Sequence, residues 1–148
     1  MKRILIATDG STEARQAVEY GLDLARSSHA SATVVYVLRT TQPVVGNRFE
    51  ISEGARRADD AGEHAMRVAA DLGVETDLCI LEGDPAALII ELARLKDADL
   101  IVLGSRNRGP LVAALLGSVS DDVVTHADRP VLVTHAPPDD RRRALATA

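Results

Sequence analysis

Short aliphatic runs alternate with helix-forming stretches along almost the whole chain, and this alternation restricts the fold more than any other feature. Candidate strands are Ile4–Thr8, Thr33–Leu38, Thr76–Leu81, Leu100–Leu103 and Val131–Thr134. Each is a nearly continuous apolar run, as expected of a strand covered on both faces. Between the first two, Ala14, Ala17, Val18, Gly21, Leu22 and Ala25 recur at steps of three and four and form one apolar helical stripe. Ser11 or Gly10 can cap its start, with Glu13 in the first turn. A second helix is expected from about Ser52 to Leu72, with Ala58, Ala61, Ala65, Val68, Ala69 and Leu72 inward and Gly73 as its stop. A third begins at Asp84-Pro85, with Asp as cap and Pro in the first helical position, and continues through Leu88, Ile89, Leu92 and Leu95. The fourth runs from Ser118 to about Ala127, where Ser118 and Asp121 match a capping box. Strand–helix repetition of this kind predicts an α/β fold, a doubly wound parallel sheet with helices on both faces. Ligands of such sheets bind beyond the C-terminal strand ends, where the winding direction reverses.

Composition narrows the partners. The 148 residues suit one domain with a substantial core, and 46% of them are apolar. Aromatics are confined to Tyr20, Tyr36 and Phe49, too few for the stacking platforms of single-stranded nucleic-acid binders. The net charge of −5 offers no overall attraction to DNA or RNA. Cys79 stands alone, which excludes an intramolecular disulfide and a cysteine-based zinc cluster; its apolar surroundings, Leu78 to Leu81, suggest a buried thiol. Met1-Lys-Arg opens onto an apolar run that Thr8-Asp9-Gly10 interrupts too early for a signal peptide, and no segment approaches membrane-spanning length, so a cytoplasmic location is expected.

Two strand exits carry glycine and polar groups: Asp9-Gly10-Ser11, and the stretch from Gly104 to Ser120 that includes Arg106, Asn107, Arg108, Gly109, Gly117 and Ser118. A loop that leaves a strand and ends in Gly-Ser before a helix can gather backbone N–H groups that, with the helix dipole, attract phosphate. The plainer alternative is that the glycines turn the chain and Ser118 caps a helix. If strands one and four are neighbours, both exits open into one crevice. Gly104 and Gly109 imitate half of a P-loop, but Pro110-Leu111 stands where Lys-Ser/Thr is required. No GxGxxG follows the first strand, and a receiver domain would need clustered acids near Asp9 and a lysine where Thr134-His135 stands. His29, His64, His126 and His135 show no metal-ligand spacing, and no Ser/His/Asp set or spaced carboxylate pair marks a catalytic centre. Residues Arg39–Glu53 form a long connection, either a lid or a surface loop, and residues 137–148 are expected to be a disordered tail beyond a domain of residues 1–136.

With the strand pattern and both exits in place, the chain resembles the universal stress protein family over roughly residues 2–136. The resemblance rests on Arg3-Ile-Leu-Ile-Ala-Thr-Asp-Gly-Ser11, Val35-Tyr36-Val37, Gly83-Asp84-Pro85, Ala98 to Ser105 and Arg129-Pro-Val-Leu-Val133. Nucleotide-binding members of that family carry Gly, two residues, Gly, nine residues, then Gly-Ser or Gly-Thr. Gly104 and Gly117-Ser118 match, while Asn107 replaces the middle glycine. Asn tolerates left-handed geometry better than most residues, and its amide can donate. The resemblance implies a five-stranded sheet in order 3-2-1-4-5 and a homodimer joined along the fifth strand, Val131-Leu132-Val133. It further implies that Ala7 and Asp9 face the adenosine, Val37 contacts adenine, and Leu103 and Gly104 pass under the ribose and α-phosphate. Asn107, Gly117, Ser118, Val119 and Ser120 would cradle the phosphates. For Val37 a core role, and for Asp9 a capping role, are equally open from the residues alone.

Three functions follow for comparison. One is an ATP-binding regulatory protein of the stress response, accepting also ADP or AMP, with Mg²⁺ or Mn²⁺ held through the phosphates. The second is a nucleotide-free interaction module of the same fold, with Asn107 marking a decayed site. The third is a slow ATP-hydrolysing enzyme, for which only Arg106 and Arg108 offer a charged clamp. The first is the expected one, without dedicated catalysis.

Overall fold

The computed structural model describes residues 1–39, 48–105 and 117–135. Among these, five strands, β1 (Arg3–Thr8), β2 (Ser31–Leu38), β3 (Thr76–Glu82), β4 (Leu100–Gly104) and β5 (Val131–Thr134), form one parallel sheet in order β3-β2-β1-β4-β5. They alternate with α1 (Thr12–Ser28), α2 (Arg48–Leu72), α3 (Pro85–Leu95) and α4 (Ser118–His126). The doubly wound α/β architecture expected from the sequence and the strand order implied by the resemblance are present, and β1 and β4 are direct neighbours, paired from Ile4↔Leu100 to Ile6↔Val102.

The core divides at the sheet according to the two-residue period of β1. Ile4 and Ile6 pack toward Ala17, Val18, Leu22 and Ala25 of α1 and Ala65 and Ala69 of α2. Leu5 and Ala7 pack toward Ile89, Ile90 and Ala93 of α3 and Val123 of α4. The stripe expected on α1 coincides with its buried residues. Its cap is Ser11, whose side chain accepts from the Ala14 N–H at 3.2 Å. Asp84 caps α3 in the same way, accepting from Ala87 N–H at 3.0 Å, with Pro85 opening the helix. Gly73 ends α2 at φ +67°, a conformation that side chains strain to adopt.

Four expectations need correction. Helix α2 begins at Arg48 rather than near Ser52. Gly117, not Ser118, is the N-cap of α4, and no side chain caps that end, so the capping box does not form. The third strand is not covered on both faces: it is a sheet edge, and Leu78 and Ile80 are 37% and 42% exposed. Cys79 on the same strand is accordingly half-buried, not enclosed.

Two predictions follow from this packing. Leu22 is fully buried in the layer between β1 and α1, and Leu22→Ala is expected to cost about 3 kcal/mol in urea-induced unfolding through lost transfer energy and a residual cavity. Asp128, in the turn before β5, accepts from Arg129 Nε at 2.9 Å and from Arg94 Nε at 3.2 Å, and these bonds lower its pKa to about 2. Its contribution to stability is therefore present above the ordinary carboxylate range and is lost as pH falls from about 4 toward 2. Asp128→Asn should flatten the acid limb of a thermal-stability profile in that window.

Candidate ligand-binding cleft

At the C-terminal edge of the sheet a cleft of about 360 Å³ opens across the ends of β2, β1 and β4. Its position follows from the winding: the chain leaves β1 toward β2 and β3, then returns to the other side of β1 to form β4 and β5. The connections diverge there and leave a crevice. Ala7, Thr8 and Asp9 line it from β1, with Ser11 and Ala14 from the start of α1. Val35 to Arg39 contribute from the end of β2, and Leu103 and Gly104 from β4. Gly117, Ser118, Val119 and Ser120 supply the start of α4, while Pro85 and Ile89 come from α3.

The turn from β1 into α1 is built for this edge. Thr8 Oγ1 accepts from Gly10 N–H at 3.2 Å, and Asp9 Oδ1 accepts from Ser11 N–H at 3.0 Å. Gly10 adopts φ +78°, so the chain can reverse without the strain a side chain would bring. Gly104 is required for a different reason. A Cβ placed there would lie 2.7 Å from the carbonyl oxygen of Glu13 in α1, a backbone atom that cannot step aside. The absence of that methyl group lets β4 and α1 close on each other beneath the cleft. Ser120, buried on the first turn of α4, donates from Oγ to the Gly104 carbonyl at 3.3 Å and ties α4 to this floor.

The electrostatics of the cleft favour an anion. Each helix that follows a parallel strand starts at the sheet's C-terminal edge, so the positive ends of α1, α3 and α4 all face this region. One first-turn N–H of α1, that of Ala14, is taken by Ser11, and one of α3, that of Ala87, by Asp84. The first-turn N–H groups of α4 have no side-chain cap among the described residues. Orphan N–H groups at a helix start are donors waiting for an acceptor. Among the described lining residues the charged side chains are Arg39, Arg57 and Asp9. Arg57 is held only loosely by Glu53, at 3.7 Å, and both are solvent-exposed.

Every sequence-predicted site residue that the structure describes lies on this one cleft: Ala7, Asp9, Val37, Leu103, Gly104, Gly117, Ser118, Val119 and Ser120. Asn107 lies outside the described residues, as do Arg106 and Arg108. Sequence reasoning missed Arg39, Gly54 and Arg57. Only the register of α2 over β2 could have revealed the last two, since neither belongs to a motif. Among the described residues no group of three or more His, Cys, Asp or Glu side chains could hold a metal ion, and no helix is long and apolar enough to cross a membrane.

The fold and cleft define a doubly wound α/β domain with an open cleft at its topological switch point. The family model of the universal stress proteins matches residues 1–135, and the chain belongs to that family. A universal stress protein of Methanocaldococcus jannaschii is 35% identical over 141 residues, spanning 92% of this chain and 83% of its own. The structure of universal stress protein UspA from Lactobacillus plantarum superposes with a TM-score of 0.74 at 27% identity, over 89% of this chain and 96% of that one. That of the universal stress protein from Archaeoglobus fulgidus in complex with dAMP does so with a TM-score of 0.69 at 25% identity, over 90% and 97% of the respective chains.

One substitution tests the construction of the floor. Gly104→Ala forces a methyl group against Glu13 O, and overpacking against backbone is expected to cost about 1–3 kcal/mol in chemical denaturation. A variant as stable as the parent would show that α1 and β4 are less tightly apposed than described.

Proposed function

We propose that the cleft binds an adenine nucleotide, with the phosphates at the start of α4 and the base at the end of β2. The observation that carries this reading is the start of α4, which lines the cleft and has no side-chain cap among the described residues, whereas α1 and α3 each have one first-turn N–H taken by Ser11 and Asp84. The span agrees: β2 and β4 flank β1, so their ends stand two strand spacings apart, about 10 Å. A mononucleotide laid over the end of β1 reaches from one to the other. The related protein from Archaeoglobus fulgidus with bound dAMP supports the same class of ligand.

In this reading Val37 meets the adenine, and Ala7 and Asp9 face the adenosine. Leu103 and Gly104 lie under the ribose and α-phosphate. Gly117, Ser118, Val119 and Ser120 receive the phosphates, and Asn107 joins them from the preceding loop. Arg39 and Arg57 add positive charge to a cleft in which Asp9 is the only described carboxylate. The physiological nucleotide is ATP, with ADP or AMP as alternatives. A Mg²⁺ or Mn²⁺ ion is carried by the phosphates. The protein acts in the stress response as a regulator whose state follows occupancy, and not as a dedicated enzyme. It pairs with a second copy through β5, whose residues Val131, Leu132 and Val133 are only partly buried and form a sheet edge.

Isothermal titration of the nucleotide-stripped protein with AMP, ADP and Mg²⁺-ATP tests the proposal. Saturable binding at micromolar concentration or below is expected. Gly117→Leu, which crowds the N–H groups at the start of α4, should weaken binding at least about tenfold with the circular-dichroism spectrum unchanged. Chelation of the divalent ion should weaken ATP binding more than AMP binding, because only the longer phosphate chain wraps the ion. No heat at several temperatures would instead favour a nucleotide-free interaction module.

A further inference from the structure

The floor of the cleft is tied to the sheet edge through a side-chain pair outside the nucleotide motif. Beyond Gly104, Ser105 continues the β4–β5 ladder by donating its N–H to Thr134 O at 2.9 Å. Ser105 is 1% exposed, and its Oγ lies 2.7 Å from Nδ1 of His135. His135 is exposed and directly follows β5. Thr134 adds a longer bond from Oγ1 to Leu103 O, at 3.4 Å. The peptide unit joining Gly104 to Ser105 is thus held from two sides: by Ser120 of α4 on its carbonyl, and by Thr134 and His135 on the following residue.

Movement of that unit has little freedom elsewhere. Glu13 O blocks displacement of Gly104 toward α1. If Ser105 loses its partner, its buried hydroxyl is left unsatisfied and the Gly104–Ser105 peptide unit loses one of its holds, so the Gly104 carbonyl is presented less firmly to Ser120. The first turn of α4, with the N–H groups that face the phosphate, then loses its anchor.

We infer that His135 is a positioning residue for the cleft: its Nδ1 holds Ser105, and through Gly104 and Ser120 it sets the start of α4 for phosphate. The inference rests on the nucleotide reading given above. It also makes the cleft and the β5 edge energetically reciprocal. A ligand that tightens the Gly104–Ser120 contact protects the end of β5, and whatever orders β5 favours the ligand to the same degree.

The role depends on an atom at the Nδ1 position, which separates it from charge or bulk. In His135→Asn the side-chain amide occupies that position, two bonds from Cβ. In His135→Gln the amide reaches only the Nε2 position, and His135→Ala supplies neither. AMP titration of the three variants should find His135→Asn within about twofold of the parent, and His135→Gln and His135→Ala about tenfold weaker. Ser105→Ala combined with His135→Ala should lose little more than either alone, as expected of one coupled pair. Amide hydrogen exchange of the nucleotide-free variants should speed up at Ser105 in His135→Ala and His135→Gln but not in His135→Asn. Equal AMP affinity across the series, or His135→Asn as weak as His135→Ala, overturns the positioning role while the nucleotide reading stands. Unchanged exchange at Ser105 overturns the hold on the backbone without reference to any ligand. A parent protein that binds no AMP removes the nucleotide reading and this inference together.

Discussion

Parallel pairing of β1 on both edges is the constraint on which the remaining structure depends. Ile4, Leu5 and Ile6 are essentially fully buried, and their backbone is bonded to β2 on one side and β4 on the other. A strand in that position cannot shift by one residue without exchanging the residues that face α1 and α2 for those that face α3 and α4. Right-handed crossovers then begin each helix at the same edge of the sheet. The cleft, the convergence of helix starts and the positive potential there are consequences of one topological decision, the change of direction on either side of β1.

Within that frame the depth of the site is set by close packing. Gly104 serves the core and the cleft at once, because the approach of β4 to α1 that buries Val102 also lowers the floor on which a ligand would rest. Ser120 works similarly. Its hydroxyl satisfies the Gly104 carbonyl and keeps the first turn of α4 turned toward the opening. Stability and binding geometry are therefore written in the same few contacts, and substitutions at these positions affect both.

The parts of the structure readable from sequence are those decided locally. The stripe on α1 and the caps Ser11 and Asp84 depend on residues within one or two turns of each other, and they occur as read. The near-continuous apolar runs were enough to locate all five strands to within two residues at either end. Whether both faces of a strand are covered is a tertiary matter: the resemblance placed β3 at the edge, but the hydrophobicity of Leu78 and Ile80 did not reveal that their face is left open. At α4 the chemistry of Ser118 suggested a side-chain cap, but the N-cap falls one residue earlier, at Gly117, and no side-chain cap forms among the described residues. That difference is informative, since a capped start would have its N–H groups occupied by the chain itself. Part of the cleft lining was legible: the glycine-bearing exit of β4 marks Gly104, Gly117 and Ser118, while Ala7, Asp9, Val37 and Leu103 came from the family resemblance. Gly54 and Arg57 were not, because they arrive through the placement of α2 over β2, at a separation in sequence that no local pattern reports.

Charge distribution explains how an acidic chain can present a site for an anion. The whole chain carries a net charge of −5, but the described cleft carries Arg39 and Arg57 against Asp9, reinforced by uncapped N–H groups of α4. At physiological ionic strength charges are screened over about 8 Å, so a small ligand inside the cleft senses these neighbours far more than the distant acidic surface. An extended polyanion samples a wider area and gains less from a positive region confined to one crevice. In the proposed reading, size and local field together favour a compact anionic ligand. The apolar strip at the β2 side, formed by Val35, Val37 and Leu38, then asks that one end of that ligand be uncharged and flat enough to lie against it.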